Sequence, residues 1–153
     1  MSSASIVVVM VEPRIPQNVG NVARLCACVG ADFYLVGDLG FDLNDKYLQR
    51  AGMDYLDRVA PVHVSDMDEV FEKFPDAVPF YYSTKAEQSI WDVSYPDQVL
   101  LVFGREDKGL PDWVMKDHPE QSVTMPMPGV GRSLNVANSV AIGVYEVLRQ
   151  KMS

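Results

Sequence analysis

Five short runs in this chain are apolar at nearly every position, not at every second one: Ile6–Val11, Phe33–Val36, Pro79–Ser83, Val99–Phe103 and Val123–Met125, with a weaker run near Val62. A strand with one wet face alternates apolar and polar residues, whereas a strand apolar throughout must be covered on both faces. Segments of helical spacing separate these runs. The pattern therefore predicts an α/β domain: a mostly parallel sheet with helices on both faces. In such sheets ligands bind beyond the carboxyl ends of the strands, so the loops that follow them carry the functional signal.

The first helix is expected after Asn18, as N-cap, and to stop near Gly30. A second runs from about Asn44 to Ala51. A third begins near Ser65, where Ser65 and Asp68 have capping-box spacing. In the last, Leu134, Ala137, Ala141, Val144, Tyr145 and Leu148 follow three- and four-residue steps and predict one apolar stripe.

Composition sets outer limits. A length of 153 residues without repeats or a Pro/Gly/Ser-rich linker fits a single domain over residues 1–153. The longest apolar run has six residues, far short of the roughly 20 needed to span a membrane. The start, MSSAS, is unlike a secretory signal. Cys26 and Cys28 would point to different sides of a helix, so a disulfide is not expected, and a cytoplasmic protein fits best.

Several motifs fall short. Gly129-Val-Gly131 lacks the third glycine of a dinucleotide fingerprint, and Gly104 to Gly109 has P-loop spacing but is followed by Leu110 and Pro111 in place of Lys and Ser/Thr. His63 and His118 stand alone, without Cys or His at ligand spacing, so no metal is expected.

Three loop segments remain, each after an expected strand: EPRIPQNVGNVAR (Glu12–Arg24), VFGREDKGLP (Val102–Pro111) and MPMPGVGRSLNVANS (Met125–Ser139). Singly, each could be turn glycines and a helix cap at Ser133. In this order and spacing they resemble the three signature motifs of SPOUT-class RNA 2′-O-ribose methyltransferases. The run P-x-N-x-G-N-x-x-R (Pro16–Arg24), LCA (Leu25–Ala27), GF (Gly40–Phe41), RAGMDY (Arg50–Tyr55) and STK (Ser83–Lys85) narrow the resemblance to the minimal bacterial branch that methylates the tRNA wobble nucleotide, cytidine or uridine 34. It covers Ile6 to about Gln150. The GREDKGLP form also resembles relatives acting elsewhere in the anticodon loop.

The resemblance implies a SPOUT fold with a C-terminal deep trefoil knot, S-adenosyl-L-methionine as cofactor, the tRNA anticodon stem-loop as substrate and a homodimer. It implies cofactor contacts at Tyr82, Gly104, Met125, Ser133 and Leu134, and a catalytic set of Arg24, Asn18, Glu106, Ser133 and Asn135. Arg24 would act at the ribose as a cation, since a guanidinium keeps its proton. Glu106 would orient a cation, and Asn18 and Asn135 would position by hydrogen bonding. The alternatives are a SPOUT enzyme for another tRNA or rRNA site, and a non-catalytic RNA- or nucleotide-binding α/β module.

Net charge argues the other way: −8, with a pI near 4.6. Placement matters more than the sum. The motif segments hold six cations, Arg14, Arg24, Lys85, Arg105, Lys108 and Arg132, against three acids, Glu12, Glu106 and Asp107. An acidic body with a basic mouth is the expected electrostatic layout, and those six are the candidate RNA contacts.

Overall fold

The computed structural model describes residues 5–52, 55–56, 59–115 and 118–152. Six strands form one sheet: β1 (Ile6–Val11), β2 (Asp32–Val36), β3 (Val62–Val64), β4 (Val78–Tyr82), β5 (Val99–Phe103) and β6 (Ser122–Val123). The order across the sheet is β3-β2-β1-β5-β4-β6. Every neighbouring pair is parallel.

Because side chains alternate along a strand, the continuously apolar strands feed two cores. Ile6, Val8 and Met10 of β1 join α1 (Pro16–Val29), α2 (Lys46–Gly52) and α5 (Val136–Met152) on one face. Val7, Val9 and Val11 join α3 (Met67–Lys73) and α4 (Asp112–Met115) on the other. Helices cover both faces, as the sequence pattern demands. Leu48 alone pins α2 to its core; fully burying such a side chain is worth roughly 1.5–3 kcal/mol.

The helix boundaries differ from the sequence reading in instructive ways. Asn18 does not cap α1. Ile15 holds the cap position with extended backbone and no side-chain bond, Pro16 sits in the first turn, and Asn18 is buried within that turn. The C-terminal stop is as expected: Gly30 takes a left-handed φ of 74° and donates to the Cys26 carbonyl. The second helix starts two residues later than Asn44, because the Asp45 carboxylate accepts from the Tyr47 and Leu48 amides. The third uses Asp66 and Glu69 in place of Ser65 and Asp68: the Glu69 amide donates to Asp66, and the Glu69 carboxylate accepts from the Ser65 amide. That is a capping box displaced by one residue.

The stripe expected on the last helix holds in part: Val144 is buried, and Ala137 and Leu148 pack against the core. The buried line of α5 is Val140, Gly143, Val144 and Val147, while Leu134 and Tyr145 are exposed. Gly143 is needed where it stands, because a Cβ there would press on the Tyr82 and Phe103 rings, themselves stacked 4.3 Å apart. Cys26 is buried, which pushes its thiol up to about 12 with Asp32 adding to the effect, and Cys28 is exposed. Both are free thiols on different sides of α1, as the spacing predicts.

Candidate functional site

The carboxyl ends of β4, β5 and β6 open into one cavity of about 330 Å³, within the usual range for small-molecule sites. Its walls come from three stretches: Tyr82–Lys85 after β4, Phe103–Leu110 after β5, and Val123–Val136 after β6. Of the residues singled out from sequence, it gathers Tyr82, Lys85, Gly104, Arg105, Glu106, Lys108, Met125, Ser133 and Leu134. Arg14, Asn18, Arg24, Arg132 and Asn135 do not line it. Sequence reasoning missed Thr84, Asp112, Met115, Met127 and Ser139. Thr84 lies inside the STK run and Met127 and Ser139 inside the third motif segment, while Asp112 and Met115 follow the second within a few residues, so the motif boundaries were the signal that could have found them.

The β5 loop is a tight hairpin. The Arg105 amide donates to the Gly109 carbonyl at 3.1 Å and the Gly109 amide to the Arg105 carbonyl at 2.9 Å, with Gly109 left-handed at φ 72°. A Cβ on Gly104 would overlap the backbone of Gly109 and Leu110. Glycine is therefore required there so that the hairpin can close.

A single hydrogen-bonded chain joins the three motif segments. Glu106, expected to orient a cation, instead holds the start of α1: its carboxylate accepts from the Arg14 and Ile15 amides, each at 2.9 Å. The same group accepts from the Asn18 side chain at 3.2 Å. Asn18 in turn accepts from the Asn135 side-chain amide at 3.3 Å. Asn135, not Ser133, caps α5, accepting from the Ala137 and Asn138 amides. A carboxylate at the N-terminus of α1 also meets the positive end of the helix dipole.

The basic mouth is less free than its composition implies. Arg14 pairs with Asp38 at 3.3 Å, and its side chain runs under Gly40, where a Cβ would strike it. Arg105 grips Asp107 with two bonds, at 2.9 and 2.8 Å, which raises the arginine and lowers the carboxyl from their ordinary values. Arg24 is exposed on α1, 5.7 Å from the centre of the Tyr55 ring. Directly after β1, Glu12 carries the one positive φ among described non-glycine residues, 52°, a conformation worth roughly 1 kcal/mol of strain. Its amide is held by the Val36 carbonyl at 2.8 Å.

The floor of the cavity is apolar and rigid. Tyr82 is buried, its hydroxyl 3.2 Å from that of Tyr95, and burial first, then Tyr95, drives its phenol well above the ordinary range. Met125, Met127 and Leu134 continue the apolar wall, and Ser83, Thr84 and Ser133 add hydroxyls. Lys85, Lys108 and Asp112 supply both signs of charge. This lining suits a ligand with an aromatic base, sugar hydroxyls and a zwitterionic tail. Among the described residues no cluster of His, Cys, Asp or Glu could hold a metal, and no helix is long and apolar enough to cross a membrane.

Residues 5–145 match the SpoU rRNA Methylase family. The tRNA (cytidine(34)-2'-O)-methyltransferase of Burkholderia pseudomallei (strain 1106a) is 42% identical over 146 residues, covering 94% of this chain and 94% of that one. A solved structure concerning the 2-OH methylation of C/U34 on tRNA superposes with a TM-score of 0.86 at 36% identity, covering 96% of each chain. The SpoU methyltransferase AviRb from Streptomyces viridochromogenes, solved in complex with the cofactor AdoMet, shares the fold with a TM-score of 0.88 at 24% identity, over 60% of its own length.

Proposed function

The chain belongs to the SpoU rRNA Methylase family, and on that premise we propose that it transfers a methyl group from S-adenosyl-L-methionine to the ribose 2′-oxygen of nucleotide 34 in tRNA. The observation that carries this reading is the Glu106–Asn18–Asn135 chain, which binds all three motif segments into one unit at the cavity. Relatives similar over nearly the full length act on that tRNA position. The whole of residues 1–153 is taken as the methyltransferase domain, working in the cytoplasm where tRNA is modified.

In this reading Tyr82, Gly104, Met125, Ser133 and Leu134 would hold the cofactor, and Lys85 and Lys108 would supply positive charge to the same cavity. Bound there, the cofactor supplies an already electrophilic methyl group. What remains for the protein is alignment of the attacking oxygen and control of its charge. Arg24 stays protonated, so its part is to grip the RNA backbone and stabilise the developing alkoxide. Asn18, Glu106 and Asn135 fix the helix that carries Arg24 relative to the cofactor loops. Ser133, at the cavity wall, would offer its hydroxyl to the cofactor.

Arg24 does not line the cavity of its own chain, which supports a homodimer in which α1 of one copy meets the cavity of the other. Exposed Ile15, Leu134, Ile142 and Tyr145 provide apolar surface for such pairing, and two-fold assembly is the commonest kind. The C-terminal knot belongs to the same proposal. Residues 123–124 run between Ser83 on one side and Gln88 and Ile90 on the other, bonded to all three, which supports passage of the last segment through a loop.

The test is direct: purified protein, labelled cofactor and unmethylated tRNA, followed by nucleoside mass spectrometry of the product. A 2′-O-methylated nucleotide at position 34 is the expected result. Methylation at another position favours the sister specificity that GREDKGLP resembles, and absence of transfer with cofactor bound leaves a binding module. Light scattering at micromolar concentration should give twice the chain mass.

A further inference from the structure

Among the described residues, every cation poised over an aromatic ring lies on one patch where α1 meets α2. Arg24 stands 5.7 Å from the Tyr55 ring, Lys46 5.2 Å and Arg50 6.0 Å from the Tyr47 ring. Tyr47 is 44% exposed, and Lys46 and Arg50 are exposed beside it. Neither Lys46 nor Arg50 has a carboxylate or carbonyl partner among the described residues, unlike Arg14 and Arg105. Asp42 and Asp45, the acids that precede α2, turn their carboxylates onto backbone amides of the turn before it.

The patch is built, not incidental. Asp45 caps α2 and buried Leu48 anchors it. The loop ahead of it follows the carboxyl end of β2, and Gly40 bonds to the Pro13 carbonyl and covers Arg14. That places α2 on the β2 side of the sheet, whereas the cavity lies beyond β4, β5 and β6. Arg50 and Tyr55, the two ends of the RAGMDY run, contribute a cation and a ring to the patch, and the methyl-transfer chemistry leaves both unused.

We propose that Lys46, Tyr47 and Arg50 form a docking platform for single-stranded RNA, on the β2 side of the sheet and separate from the cavity beyond β4, β5 and β6. The proposal rests on the tRNA reading above and extends it to a surface outside the motif loops. Its chemistry is that of unpaired-strand recognition: cations meet phosphates while an exposed ring stacks on a base. In a chain of net charge −8, two exposed cations that no carboxylate neutralises among the described residues suit an anionic strand.

The probe is a fluorescent anticodon stem-loop RNA titrated into the full-length protein. Lys46→Ala/Arg50→Ala should weaken binding about tenfold at physiological salt and flatten the salt dependence by about two phosphate contacts, near 0.7 each on the logarithmic slope. Tyr47→Ala should weaken it several-fold, and Tyr47→Phe should keep wild-type affinity. Affinity for S-adenosylhomocysteine and the melting temperature should not move in any variant. Wild-type affinity and salt slope in both alanine variants would overturn the platform while leaving the tRNA reading intact. A wild-type protein that binds no tRNA would overturn both.

Discussion

The side-chain amide of Asn18 donates to the Glu106 carboxylate at 3.2 Å, across 88 positions of sequence. Asn18 is only 4% exposed, and it accepts from Asn135 with its other end. One asparagine thus satisfies both of its polar ends with residues from the other two motif segments. Buried polar groups linked in this way are costly to break singly, because each loss strands a partner.

Glu106→Ala should therefore lower stability by roughly 2–3 kcal/mol, since the Arg14 and Ile15 amides and the Asn18 side chain lose their acceptor together. Glu106→Gln keeps an acceptor oxygen but not the charge and should cost about half as much. Urea unfolding measures both. A double-mutant cycle with Asn18→Ala should show coupling above about 0.5 kcal/mol, and additive losses would mean the two residues act separately.

Arg24 is set apart from the cavity, so Arg24→Ala should leave S-adenosylhomocysteine affinity and the fold nearly unchanged while removing most methyl transfer. Arg24→Lys should not restore it, because an ammonium lacks the planar fork that meets a phosphate. Calorimetry and single-turnover assays separate the two effects. Loss of cofactor binding in the alanine variant would reassign Arg24 to the cofactor site.

Cofactor binding itself makes a quantitative claim. S-adenosylhomocysteine at about 100 times its dissociation constant should stabilise the protein by roughly 2.7 kcal/mol. Gly104→Ala should abolish most of that gain, because its methyl group meets the backbone of Gly109 and Leu110 and the hairpin cannot close. An alanine variant with unchanged ligand stabilisation would show that hairpin closure is dispensable.

Cys26 and Cys28 offer a test of burial. In native protein a thiol reagent should modify Cys28 and spare Cys26, with the second thiol reacting only on denaturation. The Cys26 thiol and Tyr82 phenol both have folded values raised above their ordinary ones, so the native state holds protons that the unfolded chain gives up. Stability should hold below about pH 8–9 and fall as pH rises from there through 12. A flat denaturation midpoint over that window would contradict the burial of both groups.

Much of this was legible in the sequence, for identifiable reasons. Strands Ile6–Val11 and Val99–Phe103 match the expected limits, because two-sided burial writes an uninterrupted apolar run. The site's location followed from the strand-end rule. Helix starts were less legible, since Asn18, Ser65 and Ser133 are all competent caps by chemistry, and only packing decides that Ile15, Asp66 and Asn135 fill those positions. The α5 stripe was legible at Ala137, Val144 and Leu148, whereas Gly143 carries no apolar signal although it lies against the Tyr82–Phe103 stack. The role of Glu106 lay beyond sequence reasoning, because its partners are backbone amides with no signature of their own.

The central position of β1 has a consequence for how the chain is made. Val7 pairs with Asp32 on one side and with Leu100 on the other. As the polypeptide leaves the ribosome, β1, β2 and β3 can assemble early, since all three lie before residue 65. The second edge of β1 must wait until residue 99 has emerged. Until then a wholly apolar strand presents unpaired amides and carbonyls, the surface that invites pairing with other nascent chains. A chain arrested before β5 should accordingly be far more prone to aggregate than one arrested just after it, a difference that pelleting of stalled nascent chains would reveal.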